Sequence, residues 1–414
     1  MNTLRFITAG NVDDGKSTLI GRLLYDSGSI HTDQLGLLKK QGEISGSNID
    51  LSLITDGLRS EREQGITIDV AYKYFSTTKR KFIIADAPGH EQYTRNMITG
   101  ASNSDVIIIL VDARKGITEQ TRRHASIASL IGIRKAIVAI NKIDLVNYSA
   151  QVFERIKEDF IGISDKLNFD EISYVPVSAL EGDNIVTKSL FTAWYPGKPL
   201  LQILEEIEIS SGKELPARFQ VQWVIRPKDD KYHDYRGYAG PVLSGNYSVG
   251  DKVRILSSGI ETTISSIEQD GKNISEATAG QNIVLHFSDN IDISRGDGII
   301  ASDGYIENST EIRAWISWLD KEPLKLDKTY ILQHRFRNLR AKIIGITNKW
   351  DVNQWEFTDA NEISQNDIAQ IVIRTNQPVH FDAFEKNSKT GNGILIDETT
   401  FSTVGGLMFL ENTV

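Results

Sequence analysis

LRFITAGNVDDGKSTLIGRLL, residues 4–24, reads as a strand, a glycine-rich loop and a helix in succession. Leu4, Phe6 and Ile7 are β-like, Gly10, Gly15, Lys16 and Ser17 satisfy G-x-x-x-x-G-K-[ST], and Leu19, Ile20, Leu23 and Leu24 recur at helical spacing. The glycines let the backbone curl so that successive N–H groups converge on a phosphate, and the helix that follows adds the positive end of its dipole. Lys16 then reaches the β- and γ-phosphates, while the Ser17 hydroxyl is offered to a Mg²⁺ bridging the same two groups. Asn11, Val12, Asp13 and Asp14 inside the loop, and Thr18 just after it, complete the nucleotide-contacting stretch. Acid beside phosphate repels unless a cation or a hydrogen bond intervenes, so Asp13 either holds a monovalent ion or faces solvent.

Working outward, residues 1–210 alternate strands with helices, the pattern of a doubly wound, mostly parallel sheet. FIIADA (82–87), DVIIILVDA (105–113), AIVAINKID (136–144) and ISYVPVSAL (172–180) are continuous apolar runs, as expected of strands buried on both faces. Ligands in such sheets bind beyond the carboxyl ends of the strands, so Asp86, Asp112, Asn141, Asp144 and Ser178 are expected on one rim with the phosphate loop. Residues from about Tyr25 to Thr67 show little periodicity beyond a possible helix at Leu35, Leu37 and Leu38, and read as a mobile functional insertion ending in REQGIT.

Asp86-Ala87-Pro88-Gly89-His90 follows a strand: Asp86 is placed to hold a Mg²⁺-bound water, and the Gly89 N–H to meet the γ-phosphate. His90, beside that phosphate, is the candidate catalytic residue that orients the attacking water. His90-Glu91 also begins H-E-x-x-H, but position 94 is threonine, which removes the zinc-protease reading. Thr67 is the candidate second hydroxyl ligand for Mg²⁺. Asn141-Lys142-Ile143-Asp144 selects the base: a carboxylate at Asp144 accepts the ring N–H and exocyclic amine of guanine, a donor pair that adenine lacks. Asn141 donates to N7, Lys142 lays its stem over the base, and a backbone N–H in Ser178-Ala179-Leu180 meets the carbonyl oxygen. A wrong base would leave the carboxylate buried and unpaired, which is how such sites discriminate. GTP is therefore the expected nucleotide. Gly245–Lys252 nearly repeats the phosphate pattern, but Asp251 displaces the lysine and a hairpin follows, so it reads as a turn.

After Pro199 the character changes to short alternating runs split by turn residues, with Asp270-Gly271 at a hairpin turn, as in antiparallel barrels. Two barrels are expected, over 211–306 and 307–414. At 414 residues the chain accommodates such a division, and its net charge of −9 argues against a carrier that binds nucleic acid mainly through phosphates. Zero cysteines exclude disulfides, thiolate zinc and cysteine nucleophiles. With no apolar run of spanning length and no leader-like start, a cytoplasmic protein free of membrane is expected.

GNVDDGKST, REQGITID, DAPGHEQYTRNM, NKID and SAL, in this order, resemble the translational GTPases, the family of elongation factor Tu and its relatives. The phrases TDGLRSEREQGITIDVAYKYFST, FQVQWVIRP, DYRGYAG and IDISRGD are most similar to the GTPase subunits of bacterial sulfate adenylyltransferases. That resemblance implies an α/β GTPase domain followed by two antiparallel β-barrels, with Val12 and Ile66 as an apolar gate flanking His90. It implies a small adenylyltransferase subunit as partner, which makes adenylyl sulfate and pyrophosphate from ATP and sulfate while this chain supplies GTP hydrolysis. Ala87 departs from the threonine or cysteine usual in the relatives, beside the metal-bound water. Because the sequence ends at the third domain, no fused kinase is expected. The runner-up reading is an elongation-factor-like carrier of aminoacyl-tRNA.

Overall fold

The computed structural model describes residues 3–29, 51, 70–88, 97, 100–209, 212–227, 235–351 and 356–412. Thr67, Ile66, Gly89 and His90, with the possible helix at Leu35–Leu38 and the rest of that insertion, lie outside the described residues. Two units are compact by themselves: Met1–Ile209 with Asp351–Glu356, and Ser210–Trp350 with Phe357–Val414.

The first unit is built on β1 (Thr3–Ala9), α1 (Lys16–Asp26), β2 (Ala71–Ser76), β3 (Lys81–Asp86), β4 (Val106–Asp112), α2 (Glu119–Leu130), β5 (Lys135–Asn141), α3 (Ala150–Ser164), β6 (Glu171–Pro176) and α4 (Leu200–Glu206). Its sheet runs β2-β3-β1-β4-β5-β6, antiparallel at the β2–β3 edge and parallel elsewhere. All of β4 is buried, which is why it is written as an unbroken apolar run. Leu19, Ile20, Leu23 and Leu24 of α1 pack with Leu4, Phe6 and Ile108 in one core, and each such leucine contributes on the order of 2 kcal/mol by leaving water. That burial fixes α1 against the sheet and so aims its N-terminus at the strand ends.

The second unit contains two barrels. In the first, β7 (Arg218–Gln220), β8 (Gly237–Ser244), β9 (Lys252–Ile255), β10 (Glu261–Gln269), β11 (Asn282–Phe287) and β12 (Gly298–Ala301) close in the order β9-β12-β7-β8-β11-β10, the ring completed by β9 pairing β10. Asp270 and Gly271 form the expected two-residue turn, with φ of 53° and 74°, between Gln269 and Lys272. Both values fall in the left-handed region that a primed hairpin turn requires. The second barrel closes likewise from β13 (Glu307–Trp318), β14 (Thr329–His334), β15 (Arg337–Asp351), β16 (Ile368–Phe381), β17 (Asn392–Asp397) and β18 (Thr403–Phe409), with β14 pairing β15. Closure removes the exposed edges that an open antiparallel sheet would present. Arg218 ties the barrels together through a bidentate pair with Asp382, Nε to Oδ2 at 2.9 Å and Nη2 to Oδ1 at 2.8 Å.

Candidate nucleotide-binding site

The loop between β1 and α1 is held open by its own polar groups. Gly15, the residue before α1, has φ 91°, and a Cβ there would meet Asn141 Nδ2 at 2.5 Å; both facts demand glycine. Lys16 is buried, and its ammonium donates to the carbonyls of Gly10 at 3.1 Å and Asn11 at 2.9 Å. Burial pushes its pKa down, against the opposing pull of Asp86, Asp14 and Asp13. The two loop acids part company: Asp13 is exposed, whereas Asp14 is 2% exposed and turns inward, where its Oδ2 accepts the Asn11 N–H at 2.6 Å. Burial raises the Asp14 pKa, partly offset by that N–H. Asp14 is thus a brace of the loop.

Asp86 ends β3, buried, with Oδ1 accepting the Thr8 hydroxyl at 3.2 Å; Ala87 and Pro88 follow it, also buried. Ser17 in the first turn of α1 and Asp86 at the end of β3 both offer oxygen, the donor that suits Mg²⁺.

The base side is assembled from two loops that reach the same rim. Asn141, the last residue of β5, donates from Nδ2 to the Asp14 carbonyl at 2.7 Å and accepts the Ala179 N–H on Oδ1 at 2.9 Å. One amide proton of Asn141 is left for a base. Lys142 takes the left-handed conformation, φ 61°, and its ammonium bonds the Asp13 carbonyl and lies 3.1 Å from Asp112 Oδ2. Ile143 is buried beneath this turn, and Asp144 is half-buried, with no hydrogen bond to its carboxylate among the described residues. Ser178 and Ala179 are buried while Leu180 is exposed, and Arg22 of α1 holds their loop through the carbonyls of Ala179, at 3.2 Å, and Leu180. Phosphate loop, Asn141–Asp144 and Ser178–Leu180 are therefore one hydrogen-bonded body.

The amino-terminal half, residues 1–209, matches the family model described as the elongation factor Tu GTP binding domain, and residues 311–408 match the GTP-eEF1A C-terminal domain-like model. Along its whole length the chain is similar to proteins named sulfate adenylyltransferase subunit 1. It is 47% identical over 412 residues to that of Alteromonas mediterranea and 49% over 413 residues to that of Teredinibacter turnerae, each alignment covering 99% of this chain and 87% of the relative. The chain belongs to the sulfate adenylyltransferase subunit 1 family, within the elongation factor Tu-type GTPases. A third relative, from Francisella tularensis subsp. novicida, is 48% identical over 416 residues with the same coverage. The matched amino-terminal domain is by its description a GTP-binding one.

Several features of the rim escape sequence reasoning. The inward turn of Asp14 has no local signal, because an aspartate in a loop is ordinarily solvated. His124 of α2 is 1% exposed and kept neutral, its pKa lowered to about 3 by burial, with Lys16 and Arg123 acting in the same direction. Arg114, two residues beyond the end of β4, joins the rim through Asp112; only the Asp112 position at a strand end hinted at this.

Proposed function

We propose that this chain is the GTP-hydrolysing subunit of a sulfate adenylyltransferase. In this reading it couples GTP hydrolysis to the formation of adenylyl sulfate and pyrophosphate from ATP and sulfate on a small adenylyltransferase partner. The observation that carries the reading is the joint one: an Asn141-Lys142-Ile143-Asp144 turn stapled to a phosphate loop, in a chain 47–49% identical over 99% of its length to subunit 1 proteins. The same likeness favours it over an aminoacyl-tRNA carrier.

In this reading Gly10–Thr18 cradles the phosphates, with the N–H groups at the start of α1 aimed at them and Lys16 turning from the Gly10 and Asn11 carbonyls to the β- and γ-phosphates. Ser17, Thr67 and, through water, Asp86 would hold Mg²⁺, which when bound lowers the charge borne by the bridging phosphate oxygens. The Gly89 N–H meets the γ-phosphate and His90 orients the attacking water. Asp144 accepts the two donors of the guanine edge, Asn141 donates to N7, Lys142 covers the base, and the Ala179 loop supplies the remaining N–H.

Co-expression with a small adenylyltransferase subunit tests the reading. A complex that makes adenylyl sulfate faster with GTP than with GDP is expected. Isolation of this chain with no such subunit, together with tight GTP-dependent retention of aminoacyl-tRNA, would refute it.

A further inference from the structure

Asp112 ends β4 with its side chain wholly buried, and donors converge on it from two directions. Arg114 grips it as a fork, Nε to Oδ1 at 3.0 Å and Nη2 to Oδ2 at 2.6 Å, and adds its backbone N–H to Oδ1 at 3.0 Å. Lys142 approaches from the base turn, 3.1 Å from Oδ2. Burial alone raises the Asp112 pKa, but the bonds from Arg114 and Lys142 outweigh it and hold the carboxyl well below the usual carboxylate range.

The arrangement matters because of what lies next to it. Arg114 is 47% exposed at the side chain, and the register that pairs Asp112 with Asn141, with the Ala113 N–H on the Asn141 carbonyl at 2.9 Å, sets it beside the turn that carries Asp144. A guanidinium presents two parallel N–H groups to a carboxylate, the pairing that carboxylates bind most specifically. The guanine edge presents two donors in much the same way. Arg114 is therefore an intramolecular mimic of the base, carried on the strand end next to the one that carries Asp144. We propose that Asp112 is a specificity-determining positioning residue, which sequesters Arg114 and Lys142 so that the Asp144 carboxylate stays open to guanine. Lys142 gains a second effect from the same contact: pinned by Asp112, its ammonium is held on the Asp13 carbonyl, which braces the phosphate loop.

The inference rests on Asp144 being the base acceptor, and a double-mutant cycle on the full chain separates the two ideas. Asp112→Asn removes the charge that holds both cations; GDP affinity, read with a fluorescent analogue, is expected to fall about tenfold, the scale of a charge-assisted pair. Adding Arg114→Ala to Asp112→Asn removes the competitor and is expected to restore affinity to within about threefold of the parent, a non-additivity that a merely structural Asp112 cannot produce. Asp112→Ser likewise removes the buried charge, and carries the same test if the asparagine variant does not fold. Unchanged affinity in the single variant, or a double variant as weak as the single, overturns the proposal. Asp144→Asn in the parent chain is expected to move preference from GDP to xanthosine diphosphate. If it does not, the base reading itself fails and takes this proposal with it, whereas a shift there beside a neutral Asp112→Asn overturns the proposal alone.

Discussion

Asn141 is the residue on which loops far apart in sequence depend, and Asn141→Ala isolates that dependence. Its amide joins the Asp14 carbonyl, in the phosphate loop, to the Ala179 N–H, in the loop after β6, through bonds of 2.7 Å and 2.9 Å. Asn141 is 1% exposed and Ala179 is 2% exposed, so water does not replace the lost amide freely. Each orphaned backbone group then costs about 1–3 kcal/mol, and together they amount to about 2–6 kcal/mol in the nucleotide-free protein. Relaxation of the Gly15 turn toward the emptied space sets the lower end of that range, since Asn141 Nδ2 is the atom nearest to where a Gly15 side chain would begin. The assay is equilibrium urea unfolding of the nucleotide-free chain, followed by far-UV circular dichroism, beside titration of GDP. The loosened loops must be re-ordered on binding, so GDP affinity is expected to fall about a hundredfold, the equivalent of roughly 3 kcal/mol. A variant that loses GDP affinity while its nucleotide-free stability is unchanged would refute the reasoning, because Asn141 would then act only on the base.

Lys16→Ala removes the ammonium that the Gly10 and Asn11 carbonyls now hold, and GTP affinity is expected to fall by on the order of a hundredfold; retention of parental affinity by calorimetry would exclude the phosphate role. His90→Ala is expected to slow single-turnover GTP hydrolysis by about a hundredfold with GTP binding nearly intact, and equal losses in both would assign His90 to binding or structure. His334 in the second barrel gives a pH test. It is buried, its Nε2 donates to the Thr390 carbonyl at 2.9 Å, and burial lowers its pKa to about 4. Its folded pKa lies below the unfolded value near 6.5, so the unfolded chain binds the extra proton. Stability is therefore lost as pH falls from about 6.5 to about 4, by about 3 kcal/mol in full. His334→Gln should show a shallower decline of the unfolding midpoint over that window, and superimposable profiles would exclude His334 as a source of the acid lability.

The interior strands were legible because a parallel strand covered on both faces is written as an apolar run, as in Val106–Val111, and turns were legible wherever backbone sterics dictate composition, as at Asp270-Gly271. The two barrels were expected, but the strands that close each ring were not legible, since the pairing of β9 with β10 and of β14 with β15 depends on strand register around the ring, which local alternation does not encode. Nor was the Arg218–Asp382 pair, whose members are 164 residues apart. A salt bridge has no periodicity to read.

The residues from Gly10 to Ser17 and from Asn141 to Asp144 carry by themselves the expectation of a phosphate cradle and a guanine-reading carboxylate, because those functions need particular donors at fixed local spacing. Which acids face inward, and which cations they hold, is decided only by the fold. Asp14 turns into the loop, Asn141 staples it to Ala179, and Asp112 gathers Arg114 and Lys142. Those contacts exist because parallel strands deliver their carboxyl ends to one rim, where charges distant in sequence must settle their pairings at close range.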